Sequence, residues 1–113
     1  MSDLKTLQEM CKSLGVTRRA VQGYEEAGLV AAAGRNKYGH LLYGEKEQNR
    51  IRKVKLYQQI GFTIREIKEL IDAPDSIVKE ALEKQVTKLE EEHGKLSILI
   101  EEVKEIIRKL GEI

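Results

Sequence analysis

Two adjacent arginines, Arg18 and Arg19, follow Thr17 in the segment Val16-Thr17-Arg18-Arg19-Ala20-Val21-Gln22-Gly23-Tyr24-Glu25-Glu26-Ala27-Gly28-Leu29. Thr17 can cap a helix whose apolar side is Ala20, Val21 and Tyr24, and Gly28 can close it in a left-handed C-cap. The first turn of a helix is the positive end of its dipole, so phosphate is attracted there, and side chains from such a turn reach base edges in a major groove. The chemistry on offer is charge neutralisation and bidentate hydrogen bonding. An ordinary amphipathic helix with two solvated arginines would show the same fourteen residues.

A second group of donors lies in Ala31-Ala32-Ala33-Gly34-Arg35-Asn36-Lys37-Tyr38-Gly39-His40-Leu41-Leu42-Tyr43-Gly44, which breaks helical periodicity and concentrates glycine, asparagine and β-formers. It reads as a small hairpin or wing. Arg35, Lys37, Tyr38 and His40 cluster near its tip, suited to lie along a phosphate backbone or to enter a minor groove. Tyr38, Leu42 and Tyr43 also fit a second role, anchoring the hairpin on a core. Enzyme chemistry finds no support: two histidines, one cysteine and no paired carboxylates on a cleft leave no set of nucleophile, base and orienting group.

The elements that must carry these residues follow from spacing. Thr6 and Glu9 form a capping box ahead of a short helix with Leu7, Met10, Cys11 and Leu14 on one face, and Gly15 stops it. Two short helices joined by the tight turn Gly15-Val16 are the helix-turn-helix arrangement. Cys11 falls on the apolar stripe, where a buried, inert thiol is expected. Glu45 to Ile60 returns to helical spacing, with Ile51, Val54, Tyr57 and Ile60 inward and Lys46, Arg50, Arg52, Lys53 and Lys55 on other faces. Gly61-Phe62 ends it. Thr63 with Glu66 caps a further helix buried through Ile64, Ile67, Leu70 and Ile71. Four short helices and a hairpin are thus predicted to share one core.

Pro74, the only proline, marks a boundary. Beyond it, Leu82, Val86, Leu89, His93, Leu96, Ile100, Val103, Ile107 and Leu110 recur in alternating steps of four and three, the period of a coiled-coil seam. A helix spanning that seam is about 43 Å long, too long to bury itself on a four-helix globule. It needs a partner, and a second copy is the simplest. His93 in the seam reads either as a pH-responsive or metal-linked position or, the plainer account, as a polar interface residue that sets register. Gly94 is a mid-helix glycine without an evident compensation, whereas Gly111 is expected to terminate the helix.

Bulk properties set limits on these readings. The 113 residues carry a net charge of +1, which hides an asymmetry: residues 1–71 hold 13 Lys/Arg against 8 Asp/Glu, and residues 72–113 hold 7 against 11. A basic front suits a polyanionic partner. The single cysteine excludes an intramolecular disulfide or a multi-cysteine metal site, which fits a reducing cytoplasm. No apolar run is long enough to span a membrane, and Met1-Ser2-Asp3-Leu4-Lys5 lacks a signal-peptide core, so the expected location is cytoplasmic with no membrane partner.

Across nearly its whole length the chain resembles the MerR family of bacterial transcription regulators. The family's recognition segment reads approximately V-S-x-x-T-[IL]-R-Y-Y-E-x-x-G-L, matched here by Val16-Thr17, Val21, Tyr24-Glu25 and Gly28-Leu29. Its wing pattern G-[YH]-R-x-Y corresponds to Gly39-His40-Leu41-Leu42-Tyr43. Its L-G-F-[ST]-[IL]-x-E-I is echoed by Ile60-Gly61-Phe62-Thr63-Ile64-Arg65-Glu66-Ile67. The resemblance implies a mainly α fold: a winged helix-turn-helix DNA-binding head with a small β-hairpin wing over residues 1–73, then a long antiparallel coiled-coil dimerisation helix over 74–113. DNA-binding positions are expected at Thr17, Arg18, Arg19, Gln22, Tyr24, Arg35, Lys37, Tyr38, His40 and Tyr43, with the nine seam residues for dimerisation. Gln22-Gly23 replaces the family's Arg-Tyr and Leu41 replaces the wing arginine, so charge must be supplied elsewhere, with Arg18, Arg19, Arg35 and Lys37 as candidates.

The partners the resemblance implies are double-stranded DNA with an inverted-repeat operator, a second copy of the chain, and RNA polymerase at a promoter whose overlong spacer is bent and untwisted. Metal-sensing relatives hold ligand cysteines around the dimer helix that this chain lacks, so no metal or other cofactor is expected. Drug-sensing relatives append a ligand-binding domain after the coil. Here the sequence stops at Ile113, which implies either a regulator without an effector domain or a piece of a longer protein. Two other classes compete: an architectural, excisionase-like DNA-bending or adaptor protein on the same fold, and a coiled-coil interaction module whose basic head is incidental.

Overall fold

Three threonines begin three of the helices in the computed structural model, which describes residues 4–112; Met1–Asp3 and Ile113 lie outside the described residues. Thr6 starts α1 (Leu7–Leu14), Thr17 starts α2 (Arg18–Glu26) and Thr63 starts α4 (Ile64–Leu70), each hydroxyl accepting from the backbone N–H three residues on. For Thr6 and Thr63 the reciprocal half of the box is present, with Glu9 and Glu66 accepting from the threonine N–H at 2.9 Å. Each box satisfies two backbone donors that the helix geometry leaves orphaned. Between α2 and α4 come β2 (Gly34–Arg35), β3 (Leu41–Tyr43) and α3 (Glu45–Ile60). After Pro74 the chain forms α5 (Asp75–Gly111), a 37-residue helix about 55 Å long.

The chain divides into two compact units, residues 1–73 and 74–113. In the first unit, Met10 of α1, Val21 of α2, Ile51 and Val54 of α3, Ile67 of α4 and Tyr43 of β3 are essentially sealed from solvent. Every element except the short outer strands therefore contributes to one core, as the apolar spacing predicts. Tyr57 and Phe62 close its end edge to face, with ring centroids 5.8 Å apart.

Three features differ from the sequence reading. The predicted hairpin is part of a three-stranded antiparallel sheet in the order β1-β3-β2, because Lys5–Thr6 adds a strand β1 ahead of α1 and pairs with Leu42–Tyr43. Gly111 is the last helical residue of α5 rather than a left-handed stop, and the cap is Glu112 in right-handed geometry. Cys11 is only half-buried; burial raises its pKa, an effect the Arg18 charge opposes.

Two cations of α3 that the periodicity assigned to outer faces are fasteners of the head. The Lys55 ammonium donates to the carbonyls of Leu14 and Gly15, at 3.2 and 2.8 Å, so it clamps the turn between α1 and α2. That turn passes through Gly15 at φ +67°, a left-handed conformation that costs a side chain about 1 kcal/mol or more. Arg50 donates to the Leu29 carbonyl and forms a bidentate pair with Asp72, both bonds at 2.9 Å, tying the segment after α2 to the segment after α4. The Arg50 guanidinium holds the Asp72 carboxyl below its ordinary pKa range. Gln48, buried beside them, donates to the Tyr43 carbonyl at 2.8 Å.

Candidate nucleic-acid interface

The apolar and polar positions of α2 separate cleanly. Val21 and Tyr24 face the core, while Arg18, Arg19, Gln22, Gly23 and Glu26 are exposed. At 100° per residue these five occupy a single sector, so the outward face begins with two guanidiniums and one carboxamide at the helix N-terminus. Thr17 is exposed too, but its hydroxyl is engaged, accepting from the Ala20 N–H at 3.0 Å. A β-carbon added at Gly23 would meet nothing within 4 Å, so the face is open along that edge. This sector has the composition that reads base edges and the dipole end that attracts phosphate.

The wing is built to hold its turn. Arg35 pairs with Leu41 and Gly34 with Leu42 across the β2–β3 ladder. Asn36 closes the turn from within: its side-chain oxygen accepts from the N–H groups of Tyr38 and His40 at 2.9 and 3.0 Å, and its N–H donates to the His40 carbonyl. Gly39 takes φ +83°, the left-handed conformation that lets the chain return, and Arg35 donates to its carbonyl at 2.6 Å. Arg35, Lys37, Tyr38 and His40 are all exposed on this frame. A cleft of about 540 Å³ lies between the wing, the start of α1 and Arg18, lined in part by Arg35, His40, Gln8 and Glu9. The wing and α2 thus border one depression, lined by two arginines and one carboxylate. The Thr6 N–H and hydroxyl hold the Glu9 carboxyl below its ordinary pKa.

Two of the expected contacts are corrected. Tyr24 and Tyr43 are core residues, 3% and 0% exposed, and their hydroxyls are committed within the head. Tyr24 donates to Gln58 at 2.6 Å and Tyr43 to Glu25 at 2.5 Å. Burial, then the Glu25 carboxylate, pushes the Tyr43 phenol well above its ordinary pKa, so it remains a donor. These bonds join α2 to α3 and to the wing strand, and both tyrosines pack in the core beneath the exposed face. Their apolar spacing was the signal, since Tyr24 shares the stripe of Val21. Lys55 gave no comparable signal, because a lysine on a helix flank looks solvated in sequence whatever it reaches.

In the second unit, no side chain of α5 is buried among the described residues. Leu82 is half-buried, and the remaining seam residues Val86, Leu89, His93, Leu96, Ile100, Val103, Ile107 and Leu110 are exposed. Ile98, Leu99 and Ile106 are exposed as well, so the apolar band widens toward the C-terminal half beyond the nine residues the heptad picks out. Ion pairs along the helix, Glu80–Lys84, Glu101–Lys104 and Arg108 with Glu105 and Glu112, are surface pairs that favour the helix modestly.

Over 98 residues the chain is 26% identical to the nodulation protein NolA of Bradyrhizobium elkanii, covering 87% of this chain but 44% of that protein, so it spans less than half of that relative's length. Among solved structures, a MerR-family transcriptional regulator from Bacillus cereus superposes with a TM-score of 0.77 at 20% identity, covering 94% of this chain and 81% of the other. HiNmlR, a MerR family regulator lacking the sensor domain and bound to promoter DNA, superposes with a TM-score of 0.73 at 18% identity, covering 87% and 79%. At these identities the two structures establish a shared fold. The sequence profile of the MerR HTH family regulatory proteins matches residues 5–74, from β1 through α4 and including α2 and the wing, and the chain belongs to that family.

Proposed function

We propose that the chain is a homodimeric, sequence-specific DNA-binding regulator of transcription, with residues 1–73 as the reading head and residues 74–113 as the dimerisation rod. The observation that carries the reading is the outward sector of α2, where Arg18, Arg19 and Gln22 are exposed together at the capped N-terminus. Arg18 and Arg19 read guanine edges, Gln22 adds a carboxamide to the same face, and Arg35, Lys37 and His40 hold the backbone beside the groove. The DNA-bound state of HiNmlR, which shares the fold, supports the same partner here.

An exposed seam on a 37-residue helix supports self-association, since so much apolar surface is otherwise left in water. Antiparallel pairing has a charge rationale. Glu83, Glu90 and Lys104 are separated by multiples of seven residues, so they share one flank of the seam, and reversing one helix sets Glu90 toward Lys104 of the other copy. Such a two-fold dimer reads an inverted repeat on one face of the duplex, and the rod sets the spacing of its half-sites. RNA polymerase at the promoter is the further partner of this reading.

Selection of bound duplexes from a random pool, followed by footprinting, tests the proposal. One short inverted repeat is the expected product. Protection of several adjacent sites points instead to an architectural role, and failure to shift any duplex at low salt overturns the reading. In a binding titration, Arg19→Ala is expected to lose about 1–3 kcal/mol and relax sequence preference. Lys37→Ala is expected to weaken all sequences alike and reduce the salt slope by about one. Unchanged affinity in both variants contradicts these assignments.

A further inference from the structure

We propose that Tyr38 is a minor-groove probe, carried by the wing tip across the phosphate strand beside the major groove, which gives the protein a preference for A·T pairs flanking its half-site. The inference rests on the DNA-reading head proposed above. Tyr38 is the most exposed of the large apolar or aromatic side chains among the described residues, at 73%, so its ring belongs to no core. Its backbone is nonetheless fixed, because its N–H is bound by Asn36 and the turn is closed again through Gly39 and Arg35. A ring held outward on a closed turn is already placed for a partner and loses little freedom on binding.

Charge and position identify that partner. The Lys37 ammonium lies 5.2 Å from the ring centroid and the His40 ring 6.4 Å away, while Arg35 supports the turn from below. These neighbours favour a polyanion over an apolar protein groove. His40 and Gly39 border the same cleft as Arg18, so the turn of the wing, next to Tyr38, stands beside the start of α2. With α2 in a groove about 12 Å wide, the cleft falls over the phosphate strand that bounds it, and Tyr38, exposed at the outer end of the turn and outside the cleft's lining, is the side chain placed to reach past that strand to the minor groove, about 6 Å wide. There a phenol donates to the adenine N3 and thymine O2 acceptors, which either orientation of an A·T pair presents, whereas the guanine 2-amino group obstructs it. Narrow A·T-rich minor grooves also have the more negative potential, which suits Lys37 at the ring.

The test uses the full chain and three duplexes with identical half-sites and flanks of A·T, G·C or inosine·cytosine pairs. Inosine lacks the 2-amino group, so it presents the minor groove of A·T with the major groove of G·C. The wild-type protein is expected to bind A·T and inosine·cytosine flanks alike and G·C flanks about tenfold more weakly. Tyr38→Ala removes the discrimination without changing the salt slope, because no phosphate contact is lost, and leaves the melting temperature unchanged. Tyr38→Phe also loses the preference, since the hydroxyl donor is gone. Retained A·T preference in Tyr38→Ala, or inosine·cytosine flanks that behave like G·C, overturns the inference. Wild-type binding without any flank preference overturns it alone, leaving the DNA-reading head intact; no wild-type binding to any duplex overturns both. If Tyr38 serves a protein surface instead, the variant binds all three duplexes as wild type does, which also refutes the proposal.

Discussion

Tyr43 carries two loads at once: its ring fills the core of the head and its hydroxyl reaches Glu25 on the recognition helix. Removing the hydroxyl in Tyr43→Phe is expected to cost about 1 kcal/mol in urea unfolding, because a hydrogen bond is lost while the ring still packs. Lys55→Met deletes both bonds to the turn carbonyls of Leu14 and Gly15 and is expected to cost about 1–2 kcal/mol in the same measurement. Asp72 supplies a pH signature. Folding lowers its pKa through Arg50, so the pair contributes above the ordinary aspartate range, near about pH 4, and the contribution is lost as pH falls through the folded value. Asp72→Asn should therefore be less stable than wild type at neutral pH and indistinguishable from it in strong acid, read by thermal melts across pH. Residues on an apolar stripe, such as Met10 and Ile51, were legible from spacing alone. Arg50, Lys55 and Gln48 were not, because the partners of Arg50 and Lys55 lie 21 to 41 residues away and that of Gln48 is a backbone carbonyl, where periodicity carries no information about them.

At the scale of elements, the capped helices were the most readable part of the chain. Thr6, Thr17 and Thr63 declare their helices through local chemistry that needs no tertiary partner, and Glu45 to Ile60 was bounded correctly by its flanking glycines. The strand β1 escaped notice because two residues are too few to show an alternation; it exists only because β3 offers it an edge. Gly94 sits in the middle of α5, where an added β-carbon meets nothing within 4 Å. Gly94→Ala is accordingly expected to raise the melting temperature of the protein, by a helix preference of about 1 kcal/mol. A fall instead would mean that another chain approaches the helix closely at that point.

For the molecule as a whole, the division at Pro74 separates a unit that buries its own core from one whose apolar side chains remain exposed. The seam steps were plain in sequence; the extra breadth contributed by Ile98, Leu99 and Ile106 was not, because a heptad template discards apolar residues that fall beside it. If the proposed dimer forms through this seam, Ile100→Glu places a charge in it and is expected to shift sedimentation from two copies toward one, with loss of affinity for the proposed inverted repeat far exceeding that for a single half-site. The sheet order ties the wing to the first helix. β3 is its central strand, with the wing's β2 on one side and β1, Lys5–Thr6, on the other, so the residues that lead into and cap α1 are hydrogen-bonded to the strand from which the wing turn hangs. A substitution at Thr6 that frees this edge therefore loosens the wing together with α1, and a loss of binding in such a variant belongs to both.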